Sequence, residues 1–153
     1  MLHRLFLTIF TLASAISAWA QNGLNIEPFF DNDIQKTSDG KISIVIVEGD
    51  YLTNKSALTA EISRYASVTV RNDTDLIEKM EKAVSRDGSK ALYKQVSYVD
   101  GQMTFGFFVI PPAKKENRYI YFLNKTPKGN PKAILIFIAG AATTEEIQAL
   151  IAQ

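Results

Sequence analysis

Cysteine and histidine, which carry much of enzyme and metal chemistry, are almost missing from this sequence, and so is tryptophan. It contains no cysteine, one histidine and one tryptophan. Both His3 and Trp19 lie in the first 20 residues, which have the features of a removable leader. Without His and Cys, the remaining chain has no Ser-His-Asp or Cys-His nucleophile, no zinc site of the usual ligands and no haem ligand of these types. We therefore predict no cofactor and no metal site, and no residue is identified as catalytic.

The first 20 residues have the pattern of a secretory signal peptide. A positive start that includes Arg4 precedes an apolar run at residues 5–13, and Ala18-Trp19-Ala20 forms an A-x-A cleavage pattern. The apolar run is shorter than the roughly 20 residues that a membrane-spanning helix needs. No cysteine follows the run, so a lipid anchor is not expected. We predict cleavage after Ala20 and an exported chain, periplasmic or secreted, without a transmembrane segment.

The charge of the chain is balanced overall but uneven along its length. There are 17 basic and 16 acidic side chains, and loss of Arg4 leaves 16 of each, so no general attraction to nucleic acid is expected. Residues 114–132 nevertheless carry six basic side chains and a single acid, Glu116. This segment is either a patch for an anionic partner, such as a charged glycan or a lipid headgroup, or a set of solubilising charges beside aggregation-prone strands. The second interpretation is the commoner case. The six basic residues are Lys114, Lys115, Arg118, Lys125, Lys128 and Lys132.

Hydrophobic patterning divides the chain after the leader into a loop-rich segment, residues 21–41, and a single domain, residues 42–153. The runs at 42–47 and 133–138 are apolar on both faces, so both are predicted to be buried strands, the second of them central in its sheet. Residues 51–66 fit a helix and a strand equally well. The predicted strands are 42–47, 67–71, 92–99, 102–110, 117–123 and 132–139.

Turn and capping signals complete the prediction of the fold. Asp75 and Glu78 have the spacing of a capping box for a helix that ends at Asp87-Gly88, and Thr143 with Glu146 repeats that spacing before a short terminal helix. Asp100-Gly101 predicts a tight hairpin, and Pro111-Pro112 predicts the end of the strand before it. The order of elements predicts an α+β fold: a mostly antiparallel sheet of about five or six strands, with a C-terminal meander and two helices packed on one face.

Aromatic residues of the meander suggest a binding surface. Alternation puts Tyr119 and Tyr121 on one face of their strand, and each has an apolar ring with a polar tip. Arg118 and Lys125, from the basic segment, complete the predicted binding set. The alternative is that these rings belong to the hydrophobic core, which is the more frequent role of aromatic side chains in a sheet.

Acidic residues offer two further interpretations, both weaker. An EF-hand loop that begins at Asp31 needs Gly at its sixth place and Glu at its twelfth, but Lys36 and Ile42 stand there. A carboxylate pair for glycoside hydrolysis needs two acids in one cleft. With 16 acids in the chain such pairs arise by chance, and no spacing locates one.

The segment 117–124 (NRYIYFLN), together with the strand, glycine and helix at residues 135–150, resembles small exported Bacteroidetes proteins grouped as domain-of-unknown-function family 6108. A more distant likeness is to family 4252. The resemblance runs from about Leu24 to the end of the chain. It implies a Gram-negative envelope setting, and it carries over no catalytic residue.

These observations predict a non-enzymatic binding domain that meets an envelope protein or a glycan through its sheet. One alternative is a carboxylate-based glycan hydrolase. Another is a self-assembling structural protein that pairs through an exposed strand, for which the apolar run at 134–138 is the candidate.

Overall fold

A six-stranded antiparallel sheet forms the framework of the computed structural model, which describes residues 23–48, 61–126 and 129–152. The predicted signal peptide, most of the unassigned segment 51–66 and Lys128 lie outside the described residues. The strand order is β1-β2-β6-β5-β4-β3, so the last four strands form the predicted meander. The strands are β1 Ile42–Glu48, β2 Ile62–Arg71, β3 Tyr93–Val99, β4 Gln102–Ala113, β5 Glu116–Asn124 and β6 Lys132–Gly140.

Three α-helices accompany the sheet in the described residues, and local sequence signals explain their ends. They are α1 Asn32–Lys36, α2 Thr74–Gly88 and α3 Thr144–Ile151, preceded by a 3₁₀ turn at Glu27–Phe30. The capping box predicted for α3 is present: the Thr143 hydroxyl accepts from the Glu146 N–H, and the Glu146 carboxylate accepts from the Thr143 N–H. For α2 the sequence predicted Asp75 as the N-cap. The N-cap is Asp73, two residues earlier, and its side chain accepts a hydrogen bond from the Leu76 N–H.

The two faces of the sheet carry separate cores. The first face, which bears Val68, Phe122 and Leu135, packs against α2 and forms the larger core. The second face, which bears Phe107 and Ile138, packs against α3 through Ile147 and forms the smaller one. The α+β class and the antiparallel sheet are thus confirmed. The structure differs in that α2 and α3 cover opposite faces rather than a shared one, because the second face of the central strands is also apolar, through Phe107 and Ile138, and α3 covers it.

Two runs with the same apolar pattern have different places in the sheet. β6 is paired on both sides, with β2 and β5, so the prediction that it is central is confirmed. β1 pairs with β2 only within the described sheet, and its Val45 and Ile46 are exposed. The prediction of a buried first strand was therefore wrong. The central place of β6 also means that residues 134–138 are not an edge available for self-assembly.

The Asp100-Gly101 hairpin is confirmed, since both residues have positive φ, 50° and 77°. Pro111-Pro112 does not end β4, which continues to Ala113. The pairing of β4 with β5 instead shifts register between Ile110 and Ala113, where the prolines cannot donate to the ladder.

The segment before β1 is anchored to α2 by one carboxylate. Asp87 accepts hydrogen bonds from the Asn25 N–H and the Asn25 side-chain amide, both at 2.8 Å, and from the Ile26 N–H at 2.9 Å. Ile26 and Phe30 then pack into the larger core. Within residues 23–41 the chain is thus tied down, although its sequence predicts a loop-rich segment.

Among residues 23–48, 61–126 and 129–152, no helix combines the length and the apolar character that crossing a bilayer requires.

Candidate functional site

A cavity of about 330 Å³ opens on the second face, between the C-terminal end of α3 and strands β3 to β5. Its sheet side is formed by Phe105 and Phe107 of β4 and by Tyr121 of β5. Two amide side chains, Gln95 of β3 and Gln148 of α3, also line it. Apolar walls with a few polar groups are typical of small-molecule sites, and this volume lies at the lower end of their usual range.

Strand register explains why these side chains converge. Phe107 pairs with Tyr121 on one side and with Gln95 on the other, so the three lie side by side on adjacent strands and share the second face. Phe105 meets Tyr121 edge to face, with ring centroids 5.6 Å apart. The sheet wall of the cavity is therefore held by cross-strand packing.

Tyr119 and Tyr121 share a face as predicted, but only Tyr121 lines the cavity. Tyr119 is 2% exposed, and its ring stacks on Phe107 with centroids 6.1 Å apart. Its hydroxyl donates to the Ala142 carbonyl at 2.5 Å. Tyr121 is half-buried, and burial raises the pKa of its hydroxyl. The structure thus uses Tyr119 inside the core, and Tyr121 is the member of the pair that a ligand can reach.

Arg118 and Lys125 are not brought together with the tyrosines. Arg118 is half-buried, and its Nε donates to the Pro111 carbonyl at 2.8 Å. Burial lowers the pKa of the Arg118 guanidinium, and the charge of Asp87 opposes this effect. Lys125 is exposed at the end of β5, four residues beyond Tyr121. Whether either residue binds a partner stays a prediction.

A free strand edge lies beside the cavity. β3 pairs only with β4 in the described sheet, and six of its seven residues are exposed. Four of the six large apolar side chains that are exposed in the described residues cluster here. They are Leu92, Tyr93, Tyr98 and Val99.

Sequence reasoning missed this site because a strand's place in the sheet is a tertiary property. Gln95 and Gln148 carry no motif that marks them as a pair. The one local signal was the alternation of Tyr93, Gln95 and Ser97 with their neighbours, which is compatible with a strand that has one exposed face.

Comparison with known proteins assigns the chain to a family. The profile of a family of unknown function (DUF6108) matches residues 13–151. The chain belongs to DUF6108. No curated protein and no solved structure matches it. The main resemblance inferred from the sequence is thereby confirmed, whereas the likeness to family 4252 and the bacterial source stay predictions.

A second concavity of this DUF6108 chain lies on the first face, and most of the residues that line it are polar or charged. It has a volume of about 640 Å³ and lies between α2, the β3–β4 turn and the end of β5. Glu78 and Glu81, one turn apart on α2, both line it. Glu78 pairs with Lys82 at 3.1 Å, and Glu81 accepts the Met103 N–H at 2.8 Å. Both carboxylates are therefore engaged in contacts that hold α2 and the adjoining hairpin.

The acidic residues near the start of the chain also have local structural contacts. Asp31 caps α1 by accepting the Asp33 N–H at 2.9 Å, and Asp33 lies 3.9 Å from Lys36. The described part of the chain contains no group of three Asp, Glu, His or Cys residues placed to hold a metal ion.

The buried hydroxyl of Tyr119 predicts a pH-dependent stability. Burial raises the pKa of Tyr119 above its ordinary value of 10, so the folded state retains the proton where the unfolded state has lost it. Stability contributed by the neutral hydroxyl is therefore complete below pH 10 and is lost as the pH rises through the raised pKa. We expect Tyr119→Phe to cost about 1 kcal/mol at pH 8, with a gap to wild type that narrows above pH 10. Urea unfolding from pH 8 to 11 measures this.

The control is Tyr98→Phe, because the Tyr98 side chain is 60% exposed. Its difference from wild type should stay within about 0.5 kcal/mol and constant across the same pH range. A Tyr119→Phe gap that did not change with pH would contradict the prediction.

Proposed function

We propose that this protein is a non-enzymatic interaction domain that binds an extended peptide of a partner protein along β3 and holds one of its apolar side chains in the cavity. The observation that carries the proposal is the juxtaposition of the free β3 edge with the cavity, which share Gln95. The export predicted from residues 1–20 fits a partner outside the cytoplasm.

Main-chain pairing supplies the first part of the interaction. In an edge strand, alternate residues direct their N–H and C=O groups away from the sheet, where an extended peptide can pair with them. Edge strands are commonly protected by lysine, proline or a bulge. On β3 the register shift lies at one end, between Ser97 and Tyr98, and residues 93–97 pair with β4 without interruption. Lys94 is the single charged residue of this stretch, so the stretch is only weakly protected against pairing.

The cavity supplies the second part. A strand added beside β3 places every second side chain on the second face, next to Gln95. A long aromatic or aliphatic side chain at that position reaches the walls formed by Phe105, Phe107 and Ile151. The amide side chains of Gln95 and Gln148 line the cavity and can donate to and accept from peptide groups of the ligand, which favours a peptide over a hydrocarbon chain.

The test is selection from a phage-displayed library of random 12-residue peptides, followed by titration calorimetry with the selected sequences. We expect peptides of low charge with one shared aromatic or aliphatic position. Amides of β3 should exchange hydrogen more slowly in the complex. Gln95→Lys, which places a charge at the cavity, should weaken binding about tenfold.

The matched control is Lys94→Gln, the neighbouring position of β3, whose side chain points to the opposite face. It should change the affinity less than twofold. Peptides that bind Gln95→Lys as tightly as wild type would overturn the proposal. A particle size that grows with protein concentration and is reversed by Gln95→Lys would overturn it in favour of pairing between two copies of this chain.

A further inference from the structure

Four basic residues that lie far apart in the sequence form one row across the sheet. Arg71 at the end of β2 pairs directly with Lys132 at the start of β6. The Arg71 N–H donates to the Lys41 carbonyl at 2.8 Å, and the Lys125 N–H donates to the Lys132 carbonyl at 2.8 Å. Lys41 directly precedes β1 and Lys125 directly follows β5, so the four residues lie side by side at the ends of four neighbouring strands. At about 4.8 Å between strands, this cation row is about 14 Å long.

The cation row lies on the second face. Each cation of the row is adjacent in the sequence to a residue that is buried on the first face. These buried neighbours are Ile42, Val70, Ala133 and Asn124. Alternation therefore directs the four basic side chains to the other side. Three of them are exposed and Lys132 is half-buried. Within the described ranges, no carboxylate lies within 4.0 Å of the charged groups of the row.

Solubilisation of strand edges does not account for this arrangement. Lysines that protect against aggregation belong on edge strands. Only Lys41 adjoins an edge strand, β1, whereas the other three cations adjoin β2, β6 and β5, which are paired on both sides. Like charges directly opposite each other, as in the Arg71 and Lys132 pair, destabilise a sheet. Three of the four cations protect no edge, and their close spacing lowers stability, which indicates that the row serves to bind an anion.

The shape and the surroundings of the row define the ligand class. The row is one residue wide and four long, so it matches a linear chain with repeated negative charges. The adjacent positions on the same strands are Ser43, Thr69, Ile134 and Leu123. Two hydroxyls suit the hydroxyls of a sugar, and two aliphatic side chains suit the C–H face of its ring. None of these residues is aromatic, as base stacking with single-stranded nucleic acid requires.

We propose that the cation row binds an extended anionic polysaccharide, with carboxylate or sulfate groups on the four cations. A flat bilayer fits this face less well, because α3 is packed on the same face. The site is separate from the β3 cavity: the row belongs to β1, β2, β6 and β5, and the proposal does not depend on peptide binding.

The test is calorimetric titration of the purified protein with polygalacturonate and with heparin at 50 and 200 mM NaCl. Wild type should bind both, and more weakly at the higher salt because screening shortens the reach of exposed charges. Each single substitution to Gln in the row should weaken binding about two- to fivefold, and the quadruple variant at least tenfold. A matched quadruple variant with the same loss of charge should change binding less than twofold; its positions are Lys79, Lys90, Lys94 and Lys115, all exposed and outside the row.

Lys132→Glu separates binding from a structural role. It creates an opposite-charge pair with Arg71, so the Tm should rise by about 1–3 °C while polygalacturonate binding falls at least fivefold. An equal loss of binding in the two quadruple variants would overturn the proposal. So would tighter binding to phosphatidylglycerol vesicles, or to a single-stranded oligonucleotide, than to polygalacturonate at equal charge concentration.

Discussion

Gly140→Ala is expected to destabilise the protein by about 3 kcal/mol and to lower its Tm by about 10 °C. Gly140 ends β6 with a φ of 155°, and β2 passes directly against it. A β-carbon at this position would collide with the Glu61 carbonyl oxygen and would lie 2.8 Å from the Ile62 Cα. Both neighbours are backbone, so they cannot move aside as a side chain would. Urea and thermal unfolding measure the loss.

Gly129→Ala is the matched control. Its φ of 122° is also unfavourable for alanine, but no atom lies within 4 Å of the added β-carbon. Gly129→Ala should lower the free energy of unfolding by about 1 kcal/mol, through the unfavourable backbone conformation alone. Equal losses in the two variants would show that close approach at Gly140 does not matter. Since Gly140 connects β6 to α3, the crowded variant should also weaken peptide binding in the cavity.

Asp87→Ala is expected to cost about 3 kcal/mol and to release the segment before β1. Asp87 is 5% exposed and accepts three hydrogen bonds from Asn25 and Ile26. Its removal leaves these donors without an acceptor, and an unsatisfied buried donor costs about 1–3 kcal/mol. A carboxylate in the last turn of a helix is unfavourable for the helix dipole, so these three bonds are what makes an acid suitable there.

Two measurements test this anchor. Urea unfolding gives the stability loss, and limited trypsin digestion should cut after Lys36 faster in Asp87→Ala than in wild type. Asn25→Ala removes only the side-chain bond, so it should cost about 1 kcal/mol and leave the cleavage rate almost unchanged. Stability loss without faster cleavage would mean that Asp87 stabilises α2 rather than the segment.

Features made by neighbouring residues were predictable from the sequence. The capping box at Thr143 and the Asp100-Gly101 turn depend on hydrogen bonds and φ angles within four residues, and both are present. The central place of β6 was also predicted correctly, because strands covered on both faces are usually apolar at nearly every position.

The wrong predictions concern features that depend on contacts between residues far apart in the sequence. β1 has the same apolar pattern as β6 but lies at an edge of the described sheet. The pattern did not distinguish the two strands, because no local property of a strand specifies how many neighbouring strands it will have. Tyr119 and Tyr121 are equivalent by alternation, yet only Tyr119 is buried, beneath the chain that leads into α3.

The shortage of histidine and cysteine is a property of the sequence alone, whereas the position of the binding groups depends on the tertiary structure. By itself the sequence determined the α+β class and the capping box of α3, since these depend on residue types and short-range hydrogen bonds. Only the tertiary structure decided where binding groups meet. The β3 cavity joins residues 95 and 148, and the cation row joins residues 41, 71, 125 and 132, because strand order brings together segments that are far apart along the chain.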